Sequence, residues 1–458
     1  MPFNKLYVRP AAPSTERLCP RATPILDGHR SRRKAPAGFC TFDAYMTPFH
    51  SPTFRRLWCS GLASSCAQGM ERTTTAWLAL QTGEGALAVG LVFAARSLPS
   101  LLLGLASGTI ADRADRPRQL LAVAAGALLL AAGFGLLIIP SGVHAWQLAA
   151  FAFASGCLQV FDTPARQALV LDTVPRDLAP RALALNALGG RFSAALGAFG
   201  AGVLILSVGA AGCFVVVAVG YGLMGLWVAG LHVTQAHRGV VAVPFIRALK
   251  DAARLIVDIP VVATLITAGI ACEMLGFSYG TALPVFAQDV LAAGPEGLGA
   301  LNAAVAIGGA LAVVMLSLLP VRVRREPLLG AVFIGFGLSI IVFAATRDIA
   351  VAALVLVVLG FCAASFDVLL QMLIQMAVPD KQRGRAVGLW VLGVGSGPVG
   401  HLEMGWLVGA LGAPIALLIN GMLTVTVATT LLVRARAYIL GKTSQKGERV
   451  NAEAGRRG

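Results

Sequence analysis

Gly108-Thr109-Ile110-Ala111-Asp112-Arg113-Ala114-Asp115-Arg116-Pro117-Arg118 carries five charged residues and stands between two long apolar runs, 86–110 and 118–139. A hydrocarbon core about 30 Å thick needs roughly 20 apolar residues per helical crossing. The charged stretch is therefore a turn at a membrane face, and the runs beside it are two crossings. Ten more runs follow the same rule, near 56–80, 145–170, 181–207, 212–233, 261–290, 297–319, 327–346, 349–376, 385–411 and 413–433. The chain reads as an all-α integral membrane protein of twelve transmembrane helices.

Composition agrees, with 57% hydrophobic and 13% charged residues over 458 positions, a balance foreign to water-soluble domains. The net charge of +15 invites a nucleic-acid reading, but the basic residues lie almost wholly on one side. They follow run 2 (Arg113, Arg116, Arg118), run 4 (Arg176, Arg181), run 6 (Arg238, Arg247, Lys250, Arg254), run 8 (Arg322, Arg324, Arg325) and run 10 (Lys381, Arg383, Arg385), and they fill both tails. Of the opposite loops, only the one after run 9 has a basic residue, Arg347. This positive-inside pattern puts both termini in the cytoplasm of a cell whose inner membrane the chain spans, and it explains the charge without a nucleic acid. Residues 1–54 read as a disordered basic tail, not a signal peptide. Met46, just before Phe54-Arg55-Arg56-Leu57-Trp58, is an alternative start. Cys59, Cys66, Cys157, Cys213, Cys272 and Cys362 fall in apolar runs without C-x-x-C spacing and read as packing residues.

The chain repeats itself. A shift of 204 residues lays Val174-Pro175 on Val378-Pro379, Arg181-Ala182 on Arg385-Ala386, Leu185 on Leu389, Gly156 on Gly360 and Gln167 on Gln371. Runs 4 and 5 then overlie runs 10 and 11. The expected organisation is a tail over 1–54, a six-helix bundle over 55–233, a linker over 234–260 with an amphipathic surface helix, a second six-helix bundle over 261–433, and a tail over 434–458. Parallel halves of this kind are a transporter architecture, with the substrate held between them near the midplane.

The loop at 108–118 resembles the signature of the major facilitator superfamily, here at Gly108, Asp112, Arg113, Arg116 and Arg118, with Asp115 where that family usually has a second glycine. With Phe54–Trp58, Pro99, Pro164-Ala165-Arg166 and the 245–260 linker, the resemblance is to the enterobactin-exporter-like branch. It implies that Gly104 and Gly108 pack against run 11 at Gly393, Gly397 and Gly400. It implies also that Asp112 faces the N-terminus of that helix, with Arg113 or Arg116 pairing Asp162 or Asp172 as a gating latch. The loop after run 8 lacks the glycine and aspartate. In run 5, Gly197-Ala198 stands where the family's antiporter motif has Gly-Pro, so packing is the safer reading of the glycines there.

Ionisable residues inside a bilayer are costly and face a partner or a water-filled path. Runs 3, 6, 9 and 12 have none in their cores, and run 8 offers only Asn302. Run 1 carries Glu71 and Arg72 on a polar stripe with Ser64, Gln68 and Thr75; Arg96 is on run 2, Asp162 on run 4, Arg191 on run 5, Glu273 on run 7, Asp367 on run 10, and His401 and Glu403 on run 11. The resemblance implies that runs 1, 4, 7 and 10 line the cavity. Glu71 and Glu273, read as lying at similar depth, each stand as a proton site or as a structural ion pair. For Asp162 a salt bridge to Arg166 is the better reading, and for His401 a packing role. Arg72, Arg96 and Arg191 lie in the first half and most carboxylates in the second, which suggests arginines for an anionic group on the cargo and a second-half carboxylate for the proton.

The expected function is proton-driven export of a small organic molecule, a siderophore or drug-like amphiphile by resemblance, by a monomer that uses the proton gradient and no cofactor. Gly441-Lys442-Thr443 has Arg436 where an ATP-binding loop needs its first glycine. Lipid or nutrient transport is the alternative, and a membrane enzyme or sensor a remote one.

Overall fold

A computed structural model describes residues 47–113, 115–231, 259–320, 323–378 and 393–454; the side chains of 47, 105–113, 140–141 and 434–454 are outside that description. The helices are α1 (Pro52–Gln81), α2 (Gly85–Arg113), α3 (Arg116–Ser141), α4 (Ala145–Thr173), α5 (Ala179–Ala229), α6 (Pro260–Ala271), α7 (Tyr279–Val285), α8 (Gly294–Leu318), α9 (Arg325–Ala345), α10 (Ile349–Met376), α11 (Gly397–Leu411) and α12 (Ala413–Ala454). No strand occurs among the described residues. Residues 1–46 of the tail expected at 1–54 and residues 234–258 of the linker expected at 234–260 lie outside them, as do Lys381, Arg383 and Arg385, while residues 47–54 form a helical turn and the start of α1, with Phe54 buried in the core.

Helix length decides how often α5 crosses. Its 51 residues would extend roughly 76 Å at 1.5 Å per residue, more than twice the hydrocarbon thickness of about 30 Å. The helix reverses at Gly209, whose φ of 71° suits glycine. Both limbs consequently lie on the same stretch of α1: Gly197 against Cys66 and Gly220 against Ala67. The rod Pro260–Val290 is one crossing made of α6, α7 and two π-helical turns, Cys272–Gly276 and Phe286–Val290. Eight helices are long and apolar enough to cross a bilayer by composition alone. The second limb of α5, together with α1, α4 and the described part of α11, fills the remaining places of the twelve passes expected.

Two hydrophobic cores form, one per half. The first gathers Phe54, Leu120, Phe134, Phe151 and Phe214, the second Phe286, Phe336, Phe343 and Phe366. The six cysteines named above are all free thiols.

Glycines that make equivalent contacts in both halves reveal the repeat in space. Gly156 of α4 sits against the Arg96 carbonyl of α2, and Gly360 of α10 against the Val305 carbonyl of α8. Gly197 of α5 meets the Cys66 carbonyl of α1, and Gly400 of α11 meets that of Met274. At these places a side-chain carbon would collide with backbone, so only glycine permits the approach. The same pairing operates between halves: Gly90 of α2 lies on His401 and Gly405 of α11, and Gly299 of α8 lies on Ala198 and Gly202 of α5. Gly90 and Gly299 stand near the start of their helices, Gly202 near the end of the first limb of α5 before Gly209, and Gly405 in the second half of α11. Both crossings therefore close the halves at the face away from the charged loops.

Two sequence expectations change here. Helix α11 does meet α2, but through Gly405 on Gly90, Gly395 on Leu101 and Gly397 beside Ser97, whereas Gly400 faces Met274 and Gly393 meets nothing. Glu71 and Glu273 are not at one depth: five residues on from the matched Cys66 and Met274 stand Glu71 and Tyr279, so the counterpart of Glu71 is Tyr279. Glu273 lies more than a turn nearer the charged-loop face.

Candidate transport site

The polar stripe of α1 enters a hydrogen-bonded network inside the first half. Gln68 Nε2 donates to Ser64 (3.1 Å), and Gln159 Nε2 of α4 donates to Gln68 Oε1 (2.8 Å). Arg96 of α2 donates to Gln159 Oε1 (3.1 Å) and Ser155 (3.1 Å) and forms an ion pair with Glu71. Glu71 is 1% exposed and also accepts from the hydroxyls of Ser155 and Tyr221, the latter at 2.7 Å. One carboxylate thus receives a guanidinium and two hydroxyls from three other elements. Tyr221 comes from the second limb of α5, so the Glu71 side chain is turned into the bundle. Arg96 is held there with it, away from the passage for which the sequence had suggested it.

Asp162 takes a two-pronged bond from Arg166 one turn on (2.9 and 3.2 Å), and Arg166 also donates to Ser60 of α1 (3.0 Å). Both charges are buried, so the pair fastens α4 to α1. At the charged-loop face Arg116 pairs with Asp172, joining α3 to α4. Asp115 caps α3 by accepting from the Arg118 amide (3.3 Å), and its side chain pairs with that of Arg118 (3.4 Å). The aspartate at the position of the family's second glycine therefore has a local structural use. Gly108, Asp112 and Arg113 fall where side chains are outside the description.

Different groups meet between the halves. Arg72, next to Glu71, points the other way: its side chain is exposed at the bundle surface, and Tyr279 and His401 of the second half lie within its electrostatic reach. His401 shares a hydrogen bond with Thr281 (2.9 Å) and packs on Phe93 with ring centres 5.4 Å apart. Arg191 of α5 lies over Gly309 of α8 and interacts electrostatically with Asp367 of α10. Asp367 in turn shares a pocket of about 10 Å³ with Glu273, lined also by Ile266, Phe277, Phe366 and Leu370. That volume holds about one water molecule. Glu273 stands on the π-helical turn Cys272–Gly276, the kind of irregularity that often marks functional positions. Glu403 accepts from Asn420 of α12 (3.0 Å), whose amide also donates to Ser278 (3.2 Å).

Sequence reasoning missed Tyr221, Ser155, Gln159 and Asn420. Tyr221 and Asn420 sit on passes read as lipid-facing, and neutral side chains in apolar runs give little signal. Asn420 is nonetheless fully buried, which a lone amide in a membrane helix can suggest.

A family model described as "transmembrane secretion effector" matches residues 43–447. The staphyloferrin A transporter of Staphylococcus aureus is 25% identical over 363 residues, covering 77% of this chain and 88% of that one. The multidrug efflux pump Tap of Mycobacterium tuberculosis is 25% identical over 374 residues, covering 77% and 86%. Among solved structures the nucleoside transporter NupG superposes with a TM-score of 0.70 at 12% identity, over 83% of this chain and 99% of its own.

Proposed function

The chain belongs to the transmembrane secretion effector family, a branch of the major facilitator transporters, and on that premise we propose that it exports a small organic molecule from the cytoplasm in exchange for protons. It is a multi-pass membrane transporter and not an enzyme. The cargo class, by similarity to the relatives named for staphyloferrin A and for multidrug efflux, is a siderophore or a drug-like amphiphile.

The observation that carries the coupling is the Glu273–Asp367 pocket. It is far too small for cargo and has the right chemistry for a proton: two carboxyl groups repel when both are ionised, and a proton between them removes the repulsion. Asp367 also attracts Arg191 of the other half. Protonation of the pair weakens that attraction, and cargo entry followed by proton loss restores it, so the charge state of the pocket biases how the halves rock. The glycine crossings supply the closed end of the alternating-access cycle. The arginine-rich loops support a reading in which the closed end is outside and both termini are cytoplasmic, and in this reading a single chain in the inner membrane is the working unit.

Purified protein in liposomes tests this. An inward-directed proton gradient is expected to drive flux of candidate cargo, and collapsing the gradient to stop net accumulation. Flux indifferent to the gradient would refute antiport. Metabolites released by cells with and without the gene then identify the cargo.

A further inference from the structure

A charged side chain inside a bilayer is retained where it is partnered or where it works. Of the four arginines within the membrane-spanning body of the first half, Arg96 pairs directly with Glu71 and Arg166 with Asp162, while Arg191 is attracted by Asp367. Arg72 has neither a hydrogen bond nor an ion pair among the described residues. The carboxylate next to it in sequence attracts it only from a distance. Glu71 is drawn into the bundle by Arg96, Ser155 and Tyr221, and the nearby Arg96 cation adds repulsion. A guanidinium without a direct hydrogen-bonded partner among the described residues thus faces the gap between the halves.

The surroundings of Arg72 define what would complete it. Tyr279, opposite, is buried, and its hydroxyl makes no hydrogen bond among the described residues. The Phe93 ring of the first half and the His401 ring of the second meet across the gap, with Thr281 sharing a hydrogen bond with the imidazole. A cation, a hydrogen-bond donor and an aromatic wall suit a planar group bearing an acid.

We infer that Arg72, with Tyr279 and the Phe93–His401 wall, forms a binding site for an organic anion whose acid group rests on the Arg72 guanidinium. This rests on the transport reading above and adds the charge class of the cargo. Arg72 holds the anion from the first half, and Tyr279 donates to it from the second. The site is therefore complete only while the halves keep this approach.

The test uses two dyes of similar ring size, anionic 6-carboxyfluorescein and cationic rhodamine 123, in gradient-energised proteoliposomes. The wild-type protein is expected to carry the anionic dye in preference. Arg72→Gln should lower that flux roughly 10–100-fold, the loss of one charged hydrogen bond, and leave the cationic dye at or above its wild-type flux. Arg72→Lys should keep the preference for the anion, and Tyr279→Phe should reduce the anionic flux alone by several-fold. The Tyr279 variant also serves if Arg72→Gln does not fold. Wild-type preference for rhodamine 123, or equal losses for both dyes in the Arg72→Gln or Tyr279→Phe variant, would overturn the anion site and leave the transporter reading intact. Gradient-driven flux of neither dye overturns both.

Discussion

Glu71→Gln is the substitution that best separates a structural carboxylate from a proton-carrying one. Glu71 is 1% exposed and accepts from Arg96, Ser155 and Tyr221. The amide keeps one acceptor oxygen but turns an NH2 group toward one of those donors, and it leaves the Arg96 guanidinium, with 13% of its side chain exposed, without a counter-charge. Removing one partner of a buried pair costs about 3–5 kcal/mol, most of it from the charge left behind. Adding Arg96→Gln removes that charge, so the double variant should recover about 2–3 kcal/mol relative to Glu71→Gln, within the range for directly interacting residues. Unfolding of the purified protein by SDS titration in mixed micelles measures all four corners of the cycle, and proteoliposome flux measures coupling alongside. A Glu71→Gln protein within about 1 kcal/mol of wild type that has lost its gradient dependence would refute this reasoning and make Glu71 the proton carrier.

Three further predictions address other parts of the molecule. Glu273→Gln should abolish proton-driven accumulation while cargo exchange across the membrane without a gradient persists; retained gradient dependence would move the coupling elsewhere. Asp115→Ala should cost about 1 kcal/mol through loss of the α3 cap and leave flux near wild type, both read on the same preparations. Gly202→Leu puts a side chain where the Pro295 carbonyl already stands 2.5 Å from an added carbon, so spin-label distances between the adjacent ends of α5 and α8 should lengthen; an unchanged distance distribution would show that this crossing is not a tight seal.

The helices and the halves were legible because each is written along one dimension of the chain: apolar run length and a repeated register. The pairings were less so. Asp162 with Arg166 was readable since both lie on one helix, a turn apart. Glu71 with Tyr221 was not, because it depends on how α1 is rotated against a limb 150 residues away in sequence. The expected equal depth of Glu71 and Glu273 failed for a related reason. Matching the halves by a single shift ignores that each helix carries its own offset, and π-helical turns such as Cys272–Gly276 slip the register without any residue that announces them. Spatial contacts of glycine, which admit little slack, recover the offsets that sequence identity blurs.

Those offsets change what the asymmetry between the halves means. In the first half the carboxylate, Glu71, is neutralised within its bundle, and the adjacent cation, Arg72, is left facing the gap. In the second half the matched position is Tyr279, a hydrogen-bond donor, and the carboxylates Glu273 and Asp367 gather more than a turn nearer the charged-loop face. An anion on Arg72 and a proton on the Glu273–Asp367 pair would then occupy separate places on opposite halves. Competition for one site cannot link them at that separation. On this proposal the link runs through the Arg191–Asp367 attraction across the gap, because it ties the carboxylate pocket to the opposite half, and Tyr279 lies within electrostatic reach of both Arg191 and Arg72. Arg191→Gln should accordingly leave anionic dye exchange within a few-fold of wild type yet uncouple it from the gradient. Loss of exchange and coupling together would instead place Arg191 in the cargo site.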